Sequence, residues 1–281
     1  MNRRAPMHQT YINIHVMTSQ IKIQTVNAVS YITPLREGGS LPAVVLADDD
    51  EMYVLKFRGA GQGPKALIAE LLSGEIARKL GLQTPGIVFA EMDPIMGRSE
   101  PDPEIQDLLR FSAGLNLGAT FLKNSANFSP IIEPKVSSEL ASKIVWLDAF
   151  VMNVDRTPRN VNMMLHQDEV WVIDHGASFY FHHGWNPKTE YHHSPFAMVR
   201  DHVLLRFAED LENADALARE QLNDDFLQNL AALIPDAWLE TNDLFPTANS
   251  WREAYLTFLK MRLKSSEIFV TEAKNARAQL V

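Results

Sequence analysis

The sequence predicts an α+β fold in two lobes: a β-rich N-terminal lobe with one long helix, then a mostly helical lobe with a small hairpin. Three observations predict it. β-Branched runs separated by turn residues crowd positions 21–57. Helical periodicity dominates from about residue 137 onward. A short strand-turn-strand pattern lies between residues 162 and 174, inside the otherwise helical part.

Residues 1–16 read as a loose, disordered preface, with Met17 a second candidate start. Three strands are expected in IKIQTVNAVSYI, AVVLA and MYVLKF, divided by REGGSLP and by the acidic turn ADDDE. KALIAELLSGEIARKLGL repeats apolar residues every three to four positions, which predicts a helix stopped near Gly81. GIVFAE reads as a strand. A Pro- and Asp-rich loop then leads through a short amphipathic piece to GATFLK, another strand or connector. The lobe boundary falls between residues 122 and 123, so the N-terminal lobe spans 17–122 and the C-terminal lobe 123–281.

SSELASKIVWLDAFVMN opens the second lobe as a helix with serine at its start. NMMLH and EVWVID, joined by Gln167-Asp168, form the hairpin. Three helices follow, around 195–218, around 222–235, and a long one from Trp251 to about Gln279.

Composition narrows the function classes. The chain has 46% hydrophobic residues, enough for a sizeable core, and no cysteine, which excludes disulfides, thiolate metal sites and cysteine nucleophiles. A net charge of −9 argues against nucleic acid as a partner. No run approaches the roughly 18 apolar residues of a membrane span, and the chain reads as cytoplasmic.

The chemistry concentrates in DAFVMNVDRTPRNVNMMLHQDEVWVIDHG. Asp155 and Asn160 stand five positions apart on a loop after a helix, and the hairpin returns the chain to Asp174 and Gly176. A carboxylate ending a buried strand is costly unless something pairs with it, and a metal ion is one such partner. Phosphoryl transfer needs one carboxylate to orient the acceptor hydroxyl, and an amide plus a second carboxylate to hold Mg²⁺. Lys56 ends the third strand, where its ammonium can reach nucleotide phosphates. Glu70 and Glu75 on the following helix are alternative partners for it. Gly38, Gly39 and Ser40 can lay backbone N–H groups over phosphates, and a second glycine-rich loop (Gly59, Gly61, Gly63) follows Lys56. The pairs His182-His183 and His192-His193 read as solvent-facing loop residues without a clear third zinc ligand.

These segments resemble the HipA-like kinases. DAFVMNVDRTPRN is similar to their catalytic loop, approximately F-N-x-x-x-G-N-x-D-x-H-x-K-N, with Asn153, Asp155 and Asn160 on its Asn, Asp and final Asn. VIDHG resembles their metal-binding segment, and AELLSGEIARKLGL resembles their N-lobe helix, which puts Glu70 rather than Glu75 at the acidic position. The loop departs from the pattern at Met152, Thr157 and Arg159, where the family has Gly, His and Lys. The resemblance covers roughly residues 25–235 and points to the short, stand-alone branch. It implies a protein-kinase-like fold with ATP between the lobes, Asp155 as base, Asn160 and Asp174 on Mg²⁺, and transfer to a protein Ser/Thr hydroxyl. The alternatives are a small-molecule or lipid hydroxyl, and a nucleotide-binding pseudokinase.

Overall fold

A computed structural model describes residues 21–35, 41–129 and 136–281. Five strands close into a barrel in the order β1 (Gln24–Pro34), β2 (Ala43–Ala47), β3 (Met52–Lys56), β5 (Gly114–Thr120), β4 (Ile87–Met92). β1 runs parallel to β4 and the other pairings are antiparallel. Closure leaves no open strand edge, a feature of the tertiary structure that strand periodicity alone does not reveal.

Along β3, Tyr53 and Leu55 are buried in the barrel. The period of two therefore turns Val54 and Lys56 to the other face. The interior is tight at Gly118, where an added Cβ would lie 2.8 Å from Val88 Cγ2. The strand expected in GATFLK starts earlier, at Gly114, and ends at Thr120, because its pairing with β3 and β4 fixes the register.

Helix α1 (Gly63–Lys79) is buried from Leu67 through Ala77 and ends before Gly81 at φ 75°. Its apolar side chains join the large helical core, whereas the barrel interior forms a smaller cluster with Ile105 and Leu109 of α2 (Pro103–Phe111). Helix α3 (Ser138–Val151) starts at Ser137, whose side chain accepts from Leu140 N, and ends at Met152 in the left-handed region. The hairpin gains a third strand: β6 (Ala126–Asn127) pairs with β7 (Met163–His166), which pairs with β8 (Glu169–Val172). Gln167 and Asp168 both have positive φ, as the tight turn between antiparallel strands requires.

The C-terminal helices differ from the expected spans. Residues 195–218 form no continuous helix. Short 3₁₀ turns (Ala197–Asp201, Leu205–Phe207) precede α4 (Leu211–Gln221). His202 makes side-chain bonds there that interrupt the helical ladder. α5 (Asp224–Ala232) follows. The long terminal helix is two helices, α6 (Ala248–Lys264) and α7 (Ser266–Ala278), parted at Ser265. The break lets Phe269 of α7 meet Trp146 of α3 edge-on at 5.6 Å, and Trp146 in turn stacks on Phe150 at 4.9 Å. Such a buried aromatic pair contributes about 0.5–1.5 kcal/mol beyond its area. Among the described residues, no helix is long and apolar enough to cross a membrane.

Candidate active site

A cleft of about 530 Å³ opens between the barrel and the hairpin, with Val54, Leu117, Ala119, Met164 and Ile173 on its walls and Lys56, Glu70 and Asp174 at its charged end. Strand alternation delivers Lys56 to this face. Its Nζ donates to Glu70 Oε1 of α1 and, at 2.6 Å, to Asp174 Oδ1. Glu75 lies elsewhere, accepting from Arg78 Nε at 3.3 Å. Burial opposes the Lys56 charge, but the Glu70 and Asp174 carboxylates outweigh it and raise its pKa, so it stays protonated. The same ammonium, against burial, holds Asp174 well below the usual carboxylate range.

Asp174 follows β8 and Ile173 with φ 53°, a left-handed conformation that aspartate tolerates better than bulky residues. Beside it, a Cβ added at Gly176 would sit 3.6 Å from Asp174 Oδ1 and 3.8 Å from Glu70 Oε1. Glycine therefore keeps that side of the two carboxylates open.

The loop after α3 carries the other pair. Asp155 N donates to Asn153 Oδ1 at 3.1 Å, and Asn160 Nδ2 donates to Asp155 Oδ2 at 2.7 Å. Burial raises the Asp155 pKa and the field of Asp174 adds to it, while the Asn160 bond opposes both. A carboxylate raised in this way gains basicity toward a hydroxyl proton. The oxygen atoms of Asn160 and ionised Asp174 are hard donors, the type Mg²⁺ takes.

Structure thus brings Lys56, Glu70 and Asp174 into direct contact, and Asp155 onto Asn160. Gly38, Gly39 and Ser40 lie outside the described residues. The flanking Leu35 and Pro42, joined by a 2.7 Å backbone bond, both line the cleft. Gly61 and Gly63 border a different cavity, with Lys65 and Trp251. His182 corrects the solvent-facing expectation. It is fully buried, its Nδ1 lies 2.9 Å from Tyr255 Oη, and burial holds its pKa well below the ordinary value. The cause is the aromatic core of Phe179, Tyr255 and neighbours that forms around it. His192 and His193 stand near Glu190, His193 Nδ1 being 3.4 Å from Glu190 Oε2.

Sequence reasoning missed a second charged cluster directly beneath the loop. Asp148 is fully buried and accepts from Arg156 Nε at 2.5 Å, His202 Nε2 at 2.9 Å and Asn153 Nδ2 at 2.9 Å. Its signal was an aspartate inside the apolar run VWLDAFV, a charge that burial obliges to find a partner.

Two comparisons bear on this geometry. The solved structure of the proinflammatory kinase CtkA from Helicobacter pylori matches over 90% of this chain and 98% of its own, with a TM-score of 0.51 and 11% sequence identity. At that identity the likeness is one of fold. A search of curated proteins returned no match. The family model described as HipA-like kinase matches residues 28–267, reaching further toward the C-terminus than the stretch of about 25–235 legible from the motifs. The chain belongs to the HipA-like kinase family.

Proposed function

We propose that this protein is an ATP- and Mg²⁺-dependent phosphotransferase that moves the γ-phosphoryl group of ATP to a Ser/Thr hydroxyl of a protein. Two lobes, residues 17–122 and 123–281, hold the nucleotide between them. The observation that carries the reading is the Lys56 ammonium bonded to both Glu70 and Asp174 at the charged end of an otherwise apolar cleft. Family membership supports it.

Apolar walls suit a base, and Lys56 suits the phosphates. Asn160 and Asp174 would hold Mg²⁺, which neutralises phosphate charge when bound. Asp155 takes the acceptor's hydroxyl proton as its oxygen attacks the γ-phosphorus, and the bond to the bridging oxygen of ADP breaks. Gly38, Gly39 and Ser40 cover the phosphates in this reading. A cytoplasmic setting belongs to the same reading and suits the cysteine-free sequence.

Thermal unfolding with and without Mg·ATP tests the site. A native-state ligand at a hundredfold excess over Kd adds about 2.7 kcal/mol, roughly 4–5 °C for a chain of this size. The wild type gains that shift, and Asp174→Ala and Lys56→Ala lose it. No shift at millimolar nucleotide sinks the proposal. Transfer of labelled phosphate to a lipid or small alcohol, with none to protein, replaces the acceptor class. Nucleotide binding without transfer to any acceptor identifies a pseudokinase.

A further inference from the structure

Arg156 immediately follows Asp155, yet its guanidinium is almost completely buried and bonds protein groups on several segments. It spans three segments. Nε donates to Asp148 of α3, Nη1 donates to Asn162 O and, at 3.2 Å, to Ile173 O, and Nη2 lies 3.3 Å from His175 Nδ1. Ile173 and His175 are the two neighbours of Asp174. One rigid fork therefore grips the chain on both sides of Asp174 while its own backbone carries Asp155.

Asp148 and His202 hold the fork in place. Leu204 N donates to His202 Nδ1 at 3.0 Å, so the ring's proton is on Nε2, where it meets Asp148 Oδ2. The Arg156 carbonyl also accepts from Val203 N at 3.1 Å. A buried ion pair is weak evidence for stability, since well-packed apolar replacements are often no worse. Its fully bonded, multi-segment arrangement suits a different task. We propose that Arg156, clamped by Asp148 and His202, is a positioning residue that sets the placement of Asp174 relative to Asp155. The idea rests on the phosphotransferase reading above.

The test uses the whole chain. Arg156→Lys keeps the charge but loses the fork, and the double variant Asp148→Leu/Arg156→Met removes both charges so that neither is stranded. Fold is followed by near-UV circular dichroism. Nucleotide binding is titrated with Mg²⁺ at fixed ATP, and ATP turnover is measured alongside. The folded variants are expected to need about tenfold more Mg²⁺ for half-maximal binding, as supporting residues of metal sites do. Turnover in kcat is expected to fall about 10²-fold, the cost of roughly 1 Å of misplacement, with KM for ATP little changed. A merely structural role lowers the folded fraction but moves neither the Mg²⁺ requirement nor the balance of kcat and KM. Wild-type values for both in the folded double variant overturn the proposal. Should that variant not fold, His202→Gln carries the same readouts with an effect of about tenfold, and unchanged values there overturn it. A wild type that binds no Mg·ATP overturns the function reading and this one together. A wild type that binds and turns over, beside variants that do so equally well, overturns this one alone.

Discussion

Two charged clusters sit on either side of the Asp174 segment, and they are built differently. In the cleft, Lys56 bonds Glu70 and Asp174, and the Asp174 side chain is still 41% exposed. Beneath the loop, Asp148 and Arg156 have fully buried side chains, and both Asp148 oxygens are taken. The first cluster is open at one member, because the Asp174 carboxylate faces the cleft, where solvent can stand in for a lost partner. The second is closed, since any partner lost there leaves a charge with no solvent to replace it. An open cluster suits binding, and a sealed one suits holding geometry.

The largest expected effect tests the open side. Asp155→Ala should lower phosphoryl transfer by about 10²–10⁴-fold, the range for a positioned base, while Mg·ATP still raises the melting temperature. Retained transfer would remove Asp155 from the mechanism. Deleting one cation from each cluster then compares them directly. Arg156→Met strands a buried aspartate and should cost about 3–5 kcal/mol in denaturant unfolding. Lys56→Met should cost about 1–3 kcal/mol yet abolish nucleotide binding. Equal costs would erase the distinction between the clusters.

Acid sharpens it further. Burial would raise the Asp148 pKa, but the Arg156 charge and the bonds from His202 and Arg156 carry it well below its ordinary 3.8. A depressed carboxylate contributes stability that is complete above its unfolded pKa and is lost as pH falls through the folded one. Wild-type stability should therefore drop as pH falls below about 4, and Asp148→Leu/Arg156→Met should show a shallower drop. The smallest effect concerns the two helix acids. Glu70→Gln should weaken Mg·ATP binding, whereas Glu75→Gln should leave it unchanged, since its carboxylate bonds Arg78 and not Lys56. Loss of binding in Glu75→Gln alone would reassign the Lys56 partner.

Part of this is legible in the sequence. Spacing groups Asp155, Asn160 and Asp174 as candidates, because phosphoryl transfer demands such groups at the end of a helix and a hairpin, and both elements are written in local periodicity. The place of Lys56 at the end of the third strand is also legible, and the burial of Tyr53 and Leu55 then fixes which face it takes. Hydrophobicity could not choose between Glu70 and Glu75, both buried on α1, and it was the family resemblance that favoured Glu70. Other features escaped. The helix expected at 195–218 is overridden by His202, whose bonds run to Asp148, far away in sequence.

What the sequence by itself determined is therefore local: strand and helix types, the tight Gln167-Asp168 turn, the capping of α3 by Ser137, and the order of the candidate site residues along the chain. These follow from backbone preferences and from contacts between near neighbours. The tertiary structure alone decided the closure of the barrel, the break at Ser265, the burial of His182 and the clamp of Arg156 across three segments. Each of these depends on which distant surfaces meet. A buried charge or polar ring shows in the sequence only that it needs a partner, while the packing of remote elements selects the one it finds.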